Sequence, residues 1–487
     1  MKRHRFLPLA PIDNLVFTRL STIVASLFLS ACVTVGADYQ RPQLETPAQL
    51  KLPTATSPQA SITVDWLNWW QSFNDPVLNQ LLAESLANNQ DLKIAIARID
   101  DARATAGFAM SNHFPTLDAN FAASKSRISQ NSGKPNVNGN PVSKDFQFGL
   151  SAAYELDLFG KLSRADEAAK ARLLAQEGTR GVVQSSLIAN VAQTYFSLRA
   201  FDAQLALADA TLKTRQENLR LQQKRYDAGS ISASDLHLAE AETAASEINQ
   251  VQAKLALNNV ESALAVLLGR SSTAILQTDI TRGANLEQLY QQVSMPTELP
   301  SDVLNRRPDL VYAEQNLVAA NADVGQAKAT YFPSLKLTTG LGRESRVLSD
   351  LFNPSSLLWN VASSLVQPLF HAGAGSSLVE GAEARKRIAL AQYVQSVQGA
   401  FRDVHDALAT NEANLQIENL ALYRVTALKE ALRLSDLRYQ NGYSSYLEVL
   451  NSQRDLMIAE TAIIDAKRAH LFAIVNVYKA VGGGWKM

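Results

Sequence analysis

Two short stretches of this sequence, "RYDAGSISASDL" (225–236) and "RYQNGYSSYLEV" (438–449), share one pattern and lie 213 residues apart. We call them the first and the second turn segment. Each begins with Arg-Tyr, has Gly four residues after the arginine and an acid ten residues after it. These residues are Arg225, Gly229 and Asp235 in the first segment, and Arg438, Tyr439, Gly442 and Glu448 in the second. A segment that is written twice indicates that the chain contains two copies of a larger unit.

Other landmarks recur in the same order, so the repeated unit is longer than the turn segments. Asp-Leu precedes Phe-Pro by 23 residues at two places, and each Phe-Pro is followed by Leu-Phe further along the chain. The landmarks are Asp91-Leu92, Phe114-Pro115 and Leu158-Phe159 in the first half, and Asp309-Leu310, Phe332-Pro333 and Leu369-Phe370 in the second. We therefore predict a tandem duplication, with a first structural repeat over 76–269 and a second over 302–481.

Long tracts without proline predict long helices in each repeat. No proline lies between Pro141 and Pro296, and none follows Pro368. Within these tracts mostly apolar residues recur with a period of about 3.5 residues, which is typical of coiled-coil packing. The series are Leu198, Leu205, Leu212, Leu219 and Tyr226; Leu450, Met457, Ile464, Leu471 and Tyr478; and Phe401, Val404, Leu408, Asn411, Leu415, Glu418, Leu422 and Val425.

Each tract is predicted to fold as a helical hairpin that turns at one of the two turn segments. Gly229 and Gly442 are the expected C-cap residues, because glycine readily adopts the positive φ with which many helices end. At a rise of about 1.5 Å per residue, the longer arm of each hairpin extends for about 100 Å. The expected helices are 161–228 and 234–268 in the first repeat, 372–441 and 446–481 in the second, and shorter helices over 77–112 and 303–330.

Between the short helix and the long helix of each repeat, the apolar period changes to two. Apolar residues alternate with mostly polar ones from Phe146 to Leu158 and again from Leu335 to Leu341. We predict a hairpin of two long strands in each repeat, with polar, Gly- and Pro-rich loops such as 126–144. The alternation fits a water-soluble antiparallel sheet with one wet face. It also fits a transmembrane barrel, whose strands are about 9–11 residues long and apolar on the outside.

Four strands cannot close a membrane barrel, because single-chain barrels begin at about eight strands. The membrane interpretation therefore requires several chains. Three chains would supply twelve strands and a tube of twelve helices.

The N-terminal region has the pattern of an export signal. Basic residues precede an apolar run, "LSTIVASLFLSAC", which ends at the only cysteine, Cys32. A buried free thiol would also account for a single cysteine. "LSAC" (29–32) resembles the lipobox of bacterial lipoproteins, and this resemblance implies cleavage before Cys32 and acylation of its thiol and amino group with diglyceride and palmitate. Val33 rather than Asp in the next position favours transfer to the outer membrane.

Three stretches resemble one family closely. "WLNWWQSFNDPVLNQLLAESLANNQDLKIA" (66–95), "LPSDVLNRRPDLVYAEQNLVAANADVGQAKATYFPSL" (299–335) and "YKAVGGGW" (478–485) are similar to TolC-like outer-membrane factors of the NodT-type multidrug-efflux lipoprotein branch. The resemblance covers essentially the whole mature chain. It implies an α+β membrane protein, a homotrimer with a twelve-strand outer-membrane β-barrel that continues into a long periplasmic α-helical coiled-coil barrel.

The family resemblance also implies a function and partners. Such channels are passive ducts that export small molecules such as drugs from the periplasm. They work with a periplasmic membrane-fusion adaptor and an inner-membrane pump, commonly of the resistance-nodulation-division class. In this arrangement the signal peptide is 1–31, a lipid-anchored, extended and equatorial segment is 32–75, an equatorial linker between the repeats is 270–301, and a C-terminal tail is 482–487.

The resemblance places both turn segments at the periplasmic mouth, where a trimer would contain every residue three times. Carried over from the family, Asp235, Tyr439 and Glu448 line or latch a closed aperture, and Asn451 occupies a position where the family often has a second acid. Charged rings select ions in a narrow pore. Each acid could instead stabilise the start of a helix through the helix dipole. Arg225, Gly229, Arg438 and Gly442 are expected to serve the turn or to dock the adaptor.

The sequence offers little support for nucleic-acid binding, metal binding or phosphate binding. Lys and Arg together number 46, as do Asp and Glu, so there is no basic excess for nucleic acid. His237 and Glu240 have metal-ligand spacing but no third ligand, and a solvated helix face explains them. "HAGAGSS" (371–377) lacks the lysine of a phosphate loop and is interpreted as a strand-to-helix junction. We predict no enzyme, no metal site and no cofactor apart from the lipid on Cys32.

Two other functions remain compatible with parts of the pattern. A trimeric coiled-coil stalk, that is, a structural lipoprotein without a pore, would explain the helices but gives no reason for amphipathic strands of membrane length. A duct for type I protein secretion would have the same fold and a different pump, since similarity of fold does not name a substrate.

Overall fold

A computed structural model describes residues 34–45, 49–51, 65–129, 131, 141–277, 280–290, 298–300 and 306–486. The predicted signal peptide and Cys32 lie outside these residues. The chain forms two compact units. Counting only the described residues, one unit comprises those within 34–42, 101–173 and 315–391. The other comprises those within 43–100, 174–314 and 392–486.

Helices account for most of the described chain. They are α1 (Pro76–Asn88), α2 (Gln90–Ser111), α3 (Lys161–Asp227), α4 (Ala233–Leu267), α5 (Ser272–Leu276), α6 (Leu286–Tyr290), α7 (Pro308–Ala329), α8 (Ala374–Gln440) and α9 (Tyr446–Ala480). The two long helices α3 and α8 have 67 residues each, and α4 and α9 have 35 each. These bounds confirm the predicted hairpin arms to within a few residues, whereas the tandem duplication itself stays a prediction. No helix in the described part of the chain is long and apolar enough to cross a membrane.

The single helix expected over 77–112 was wrong, because the structure has two helices with a break at Asn89. The backbone of Asn89 is extended (φ −60°, ψ 134°). Its side-chain Oδ1 accepts hydrogen bonds from the N–H groups of Asp91 and Leu92, at 2.9 and 3.2 Å, and so caps the start of α2. Its Nδ2 donates to the carbonyl of Leu267, which ties the break to the end of α4.

Within the described residues the strands form two antiparallel sheets. A short pair joins β1 (Gln49–Lys51) to β4 (Glu298–Pro300). The larger sheet has the order β2 (Thr116–Arg127), β3 (Val142–Leu156), β5 (Ser334–Ser345) and β6 (Leu357–Val366). Its register pairs Phe121 with Phe148, Leu150 with Leu341 and Leu341 with Trp359, so most of the apolar residues of the four strands lie on one face. That face is exposed in the single chain, as are most of the strand residues.

The core of the second unit, which contains residues 43–100, is aromatic and lies around the start of α1. Trp69 stacks on Tyr478 with ring centroids 5.0 Å apart, and Phe73 packs against Phe196 at 4.8 Å. Trp69 and Trp70 are buried in this core, and Trp66 packs against it. The core positions the long helix α3 beside the C-terminal part of α9.

Coiled-coil positions are only partly covered within one chain. Val404, Leu408 and Leu471 are buried as the period predicts. Leu415 and Leu422 belong to the same series as Val404, yet both are exposed. These two positions are apolar without a covering partner in the single chain.

Candidate aperture site at the two turn segments

The two turn segments adopt the same backbone motif. In the first, Ser230 N–H donates to the carbonyl of Arg225 and Gly229 N–H donates to that of Tyr226, both at 2.8 Å. In the second, the corresponding bonds run from Tyr443 to Arg438 at 2.8 Å and from Gly442 to Tyr439 at 3.0 Å. This pair of bonds is the Schellman motif, which requires a residue with positive φ. The φ angles of Gly229 and Gly442 are 71° and 77°, so the predicted C-cap roles are confirmed.

The acid of the first turn segment is part of a helix cap. Ser232 is the N-cap residue of α4, and its Oγ accepts from Asp235 N–H at 3.2 Å. The Asp235 carboxylate in return accepts from Ser232 N–H at 3.4 Å and from Ser232 Oγ–H at 2.9 Å. This reciprocal arrangement is a capping box. Asp235 therefore stabilises the start of α4, which is the structural role that the sequence left open.

The acid of the second turn segment lacks this cap. Ser445 is the N-cap residue of α9 and makes no side-chain capping bond. Glu448 is instead 3.6 Å from the Arg438 guanidinium, and both side chains are substantially exposed. An exposed ion pair of this kind contributes little to stability. The Glu448 carboxylate is thus available for interactions outside the chain, unlike that of Asp235.

A cation and two tyrosines connect the two turn segments to each other. Arg225 Nη1 donates to Tyr439 Oη at 3.1 Å, and its guanidinium carbon lies 5.8 Å from the centre of the Tyr439 ring. The Tyr439 ring packs against that of Tyr446, with centroids 5.6 Å apart. Tyr446 is buried, accepts a hydrogen bond from Asn218 Nδ2 at 2.6 Å, and burial raises the pKa of its phenol. The tip of one hairpin is therefore attached to the other.

An open groove of about 680 Å³ lies at this junction. It brings together four of the predicted site residues, Arg225, Gly229, Asp235 and Tyr439. The other four, Arg438, Gly442, Glu448 and Asn451, do not line it. Asn451 is exposed on α9, one helical turn after Glu448.

Sequence reasoning missed a charged network next to the tips. Buried Arg215 of α3 donates to Gln453 of α9 and lies 3.7 Å from Glu242 of α4. Arg454 of α9 also binds Glu242. The network ties three helices from both hairpins together. The sequence does contain a sign of this network. It is a charged residue that lies three or four positions from an apolar residue of the coiled-coil series, as Arg215 lies three positions after Leu212.

The candidate metal pair does not form part of a larger cluster. His237 Nδ1 is 2.8 Å from Glu240 Oε2 on the exposed face of α4. Among the residues that the structure describes, no group of three or more His, Cys, Asp and Glu side chains is arranged to hold a metal ion. The pair is a local contact on a solvated helix face.

Comparisons with known proteins agree with this fold. The chain matches the family described as "Outer membrane efflux protein" over residues 81–270 and 299–483. It is 34% identical over 470 residues to the cation efflux system protein CusC of Escherichia coli (strain K12), covering 96% of this chain and 99% of that protein. It is 32% identical over 471 residues to the probable outer membrane lipoprotein SilC of Salmonella typhimurium, covering 96% of this chain and 99% of SilC.

A solved structure of an outer membrane channel has the same fold. The outer membrane channel CmeC of Campylobacter jejuni superposes with a TM-score of 0.87 at 26% identity, covering 93% of this chain and 95% of CmeC. The resemblance inferred from residues 66–95 and 299–335 is therefore confirmed. This chain is a member of the outer membrane efflux protein family and forms an efflux duct of the outer membrane.

Proposed function

We propose that three copies of this chain close one twelve-strand barrel in the outer membrane, and that their helices continue it as a tube in the periplasm. The observation that carries this proposal is the four-stranded sheet. Its outer strands β2 and β6 each pair on one side only within the described residues. Unpaired strand edges are not tolerated in hydrocarbon, so a spanning sheet must close. Because strand direction alternates across the sheet, β6 of one copy can pair antiparallel with β2 of the next.

The two faces of the sheet support a water-filled interior. Leu117, Phe121, Trp359 and Val361 lie on the exposed apolar face and suit a lipid environment. The opposite face is mostly Ser, Thr, Gly, Asn and charged residues, as a wet lumen requires. The two ranges of the family match, 81–270 and 299–483, support the tandem duplication, with boundaries at 76–269 and 302–481.

The N-terminal residues are well placed to carry a lipid anchor. Buried Arg164, near the start of α3, donates to the carbonyls of Val35 and Gly36 and forms an ion pair with Asp38 at 2.8 Å. Val35 N–H donates to the carbonyl of Phe159 at 3.0 Å. These contacts hold the chain next to the junction between strand β3 and helix α3. Acylation of Cys32 would then insert lipid close to the barrel, in keeping with SilC, whose name describes it as a probable outer membrane lipoprotein.

The aperture of the duct lies at the two turn segments. In a trimer, Glu448, Asn451, Tyr439 and Asp235 each occur three times around the axis, and rings of carboxylates favour cations. The Arg225–Tyr439 contact supports a latch, because it joins the hairpins that must separate to widen the mouth. Arg225, Gly229, Arg438 and Gly442 present the turn surfaces that an adaptor would dock on.

The duct itself is passive, and an inner-membrane pump supplies the energy through a periplasmic adaptor. Because substrate choice would belong to the pump, the cargo is small molecules or ions of several kinds. CusC is named for cation efflux, and other relatives are named for antibiotic and toluene efflux. The chain carries no catalytic role in this proposal.

Single-channel conductance in a planar bilayer tests the duct and its aperture together. The informative variant is Asp235→Asn with Glu448→Gln, because Asn at 235 retains an acceptor for the capping box while the charge is removed. We expect wild-type protein to give a small, cation-selective conductance and the variant to lose selectivity. The control is Asp209→Asn with Glu247→Gln, which removes two charges from the first hairpin away from its turn and should preserve selectivity.

The possible outcomes separate the parts of the proposal. Selective conductance that the aperture variant does not alter would retain the duct and reduce both acids to structural roles. A folded trimer that never conducts, even when Arg225→Ala and Tyr439→Phe remove the latch, would exclude the duct and leave a stalk.

A further inference from the structure

The charged residues of the four long strands are sorted by sign between the two faces of the sheet. The register places every acid of these strands on the polar face. Those acids are Asp118, Asp145, Glu155 and Glu344. Most of the cations lie on the opposite, apolar face: they are Lys125, Arg127, Lys144 and Arg343. Lys336 alone among the strand cations is on the polar face, where its Nζ lies 3.7 Å from Glu155.

Three of these cations form a cluster at the loop end of β2 and β3. Lys125 is directly opposite Lys144 in the register, and Arg127 follows one pair further on, opposite Val142. Like charges in a direct cross-strand pair destabilise a sheet. Lys125 and Lys144 are exposed, and no ion pair or hydrogen bond of their side chains is present among the described residues. Arg343 is not part of the cluster, because it donates to the carbonyls of Phe352 and Asn353 at 2.6 and 2.8 Å.

The height of the cluster matches a membrane interface. The apolar stripe of β2 begins at Leu117, eight residues before Lys125, which is about 27 Å along a strand. A strand tilted by about 40° would therefore rise by about 21 Å, close to the roughly 25 Å height of the apolar band of outer-membrane barrels. Since β2 follows helix α2 and β3 leads into helix α3, the cluster lies at the end of the sheet away from the helices. In the proposed orientation that end is the outer leaflet.

We propose that Lys125, Lys144 and Arg127 bind the phosphate groups of an anionic glycolipid in the outer leaflet. This inference rests on the proposed membrane barrel. A phosphate between the two ammonium groups turns their repulsion into attraction, and charge-assisted bonds to phosphate are strong. A lipid is favoured over free phosphate because Phe121 and Phe148, a directly opposed and exposed pair, lie on the same face two pairs below the lysines, where acyl chains would pack.

Native mass spectrometry of the full-length protein, in a zwitterionic detergent with increasing lipid A, tests the site. We expect Lys125→Gln with Lys144→Gln to bind lipid A about twenty-fivefold more weakly, since each of the two cations at an anionic surface contributes roughly fivefold. The control Lys336→Gln makes the same chemical change on the opposite face and should bind as wild type does. Phosphatidylcholine should not bind preferentially to any of these proteins.

A second variant keeps the test valid if the double variant folds poorly. Lys144→Glu places a carboxylate directly opposite Lys125, so that the Lys125 ammonium group gains an ion-pair partner within the sheet. This variant should be more heat-stable than wild type without lipid A and should gain less stability when lipid A is added.

Two results would overturn the site. One is equal lipid A affinity for wild type and the double variant. The other is displacement of lipid A by inorganic phosphate at equal concentration, which would indicate an unspecific anion site. Conductance measured on the same preparations separates this failure from failure of the duct, because these residues lie outside the proposed pore.

Discussion

Asp75 shows how one side chain ties distant parts of the chain together. It is fully buried, and its Oδ1 accepts from Val77 N–H at 2.8 Å as the N-cap of helix α1. Its Oδ2 accepts from Tyr195 O–H at 2.5 Å and from Ala284 N–H at 3.1 Å. Burial and the neighbouring carboxylate raise the pKa of the Tyr195 phenol, so it remains a donor. A buried carboxylate is tolerated here because donors surround it.

Removing one of these donors should loosen the region around Asp75. We expect Tyr195→Phe to destabilise it by about 1–3 kcal/mol, the usual cost of a buried polar group that loses its partner. Hydrogen exchange of the backbone over 280–290 measures the effect as faster exchange. Tyr423→Phe is the matched control, because Tyr423 is exposed. Unchanged exchange in Tyr195→Phe would mean that water replaces the phenol without cost.

Replacing glycine by alanine should change the stability of the fold in opposite directions at two kinds of position. Gly442→Ala places a side chain at a φ of 77° and should destabilise the second turn by about 1 kcal/mol or more. Gly399→Ala lies within helix α8 with open space around its Cβ, and should stabilise by about 0.5–1 kcal/mol. Thermal unfolding of the two variants in detergent compares them directly. Equal shifts of both midpoints would contradict the Schellman assignment.

At the scale of elements, an ion cluster joins helix α7 to helices α8 and α9. Buried Arg307 binds the Asp309 carboxylate through Nε at 3.0 Å and Nη2 at 2.7 Å. Its Nη2 also reaches Asp403 of α8 at 3.1 Å, and its Nη1 donates to the carbonyl of Ala480 at 2.8 Å. The Nε, Nη1 and Nη2 groups of Arg307 therefore all donate to an acceptor. A buried arginine charge is tolerated when its donors are paired in this way.

The cluster should make stability depend on pH through Asp403. Burial alone would raise the pKa of Asp403, but hydrogen bonds from Arg402 and Arg307 and their charges outweigh burial and hold the pKa below its usual value. A depressed folded pKa means that the stabilisation is present above the unfolded pKa of about 3.9 and is lost as pH falls through the folded value.

The test is a pH series of unfolding midpoints for wild type and Asp403→Asn. Wild type should be the more stable at pH 7, and the two midpoints should converge as the pH falls below about 4. Asp455→Asn serves as the control, since that exposed side chain makes no ion pair with any of the described residues. Its unfolding midpoint at pH 7 should equal that of wild type. A constant difference between wild type and Asp403→Asn down to pH 3 would exclude the charge as the cause.

At the scale of the whole molecule, apolar surface indicates where other copies belong. Ile248, Val251 and Leu255 follow one face of helix α4 at steps of three and four residues, and each is more than half exposed. On helix α8, Leu415 and Leu422 of the coiled-coil series are also exposed, by 40% and 54%. Apolar stripes of this size are normally covered by a partner. The proposed trimer supplies one.

A charge in the stripe should therefore weaken assembly. We expect Val251→Glu to lower the trimer fraction in detergent, measured as protein mass by light scattering corrected for bound detergent. Leu276→Glu is the control, because Leu276 is strongly exposed on the short helix α5 outside the stripe. A Val251→Glu protein with unchanged mass would remove this face from the interface.

The sequence by itself determined the long helices, the long strands of the larger sheet, their order and both turns. These features follow from local energetics: periods of 3.5 and 2, the absence of proline, and glycine at a positive φ all act within a few residues. The residues 66–95 and 299–335 also carried the family. The break at Asn89 was not predicted, although asparagine is a residue type that favours N-cap positions.

Only the tertiary structure decided how the polar residues are used. Asp235 and Glu448 stand at equal positions in their segments, yet the first is held in a capping box and the second pairs with an arginine. The partners of Asp75 and Arg307 lie up to 209 residues away in the chain. Such contacts depend on which helix faces meet, and no local period encodes them. The sorting of strand charges by face likewise appears only when the register of all four strands is known, because a shift by one residue would exchange the faces.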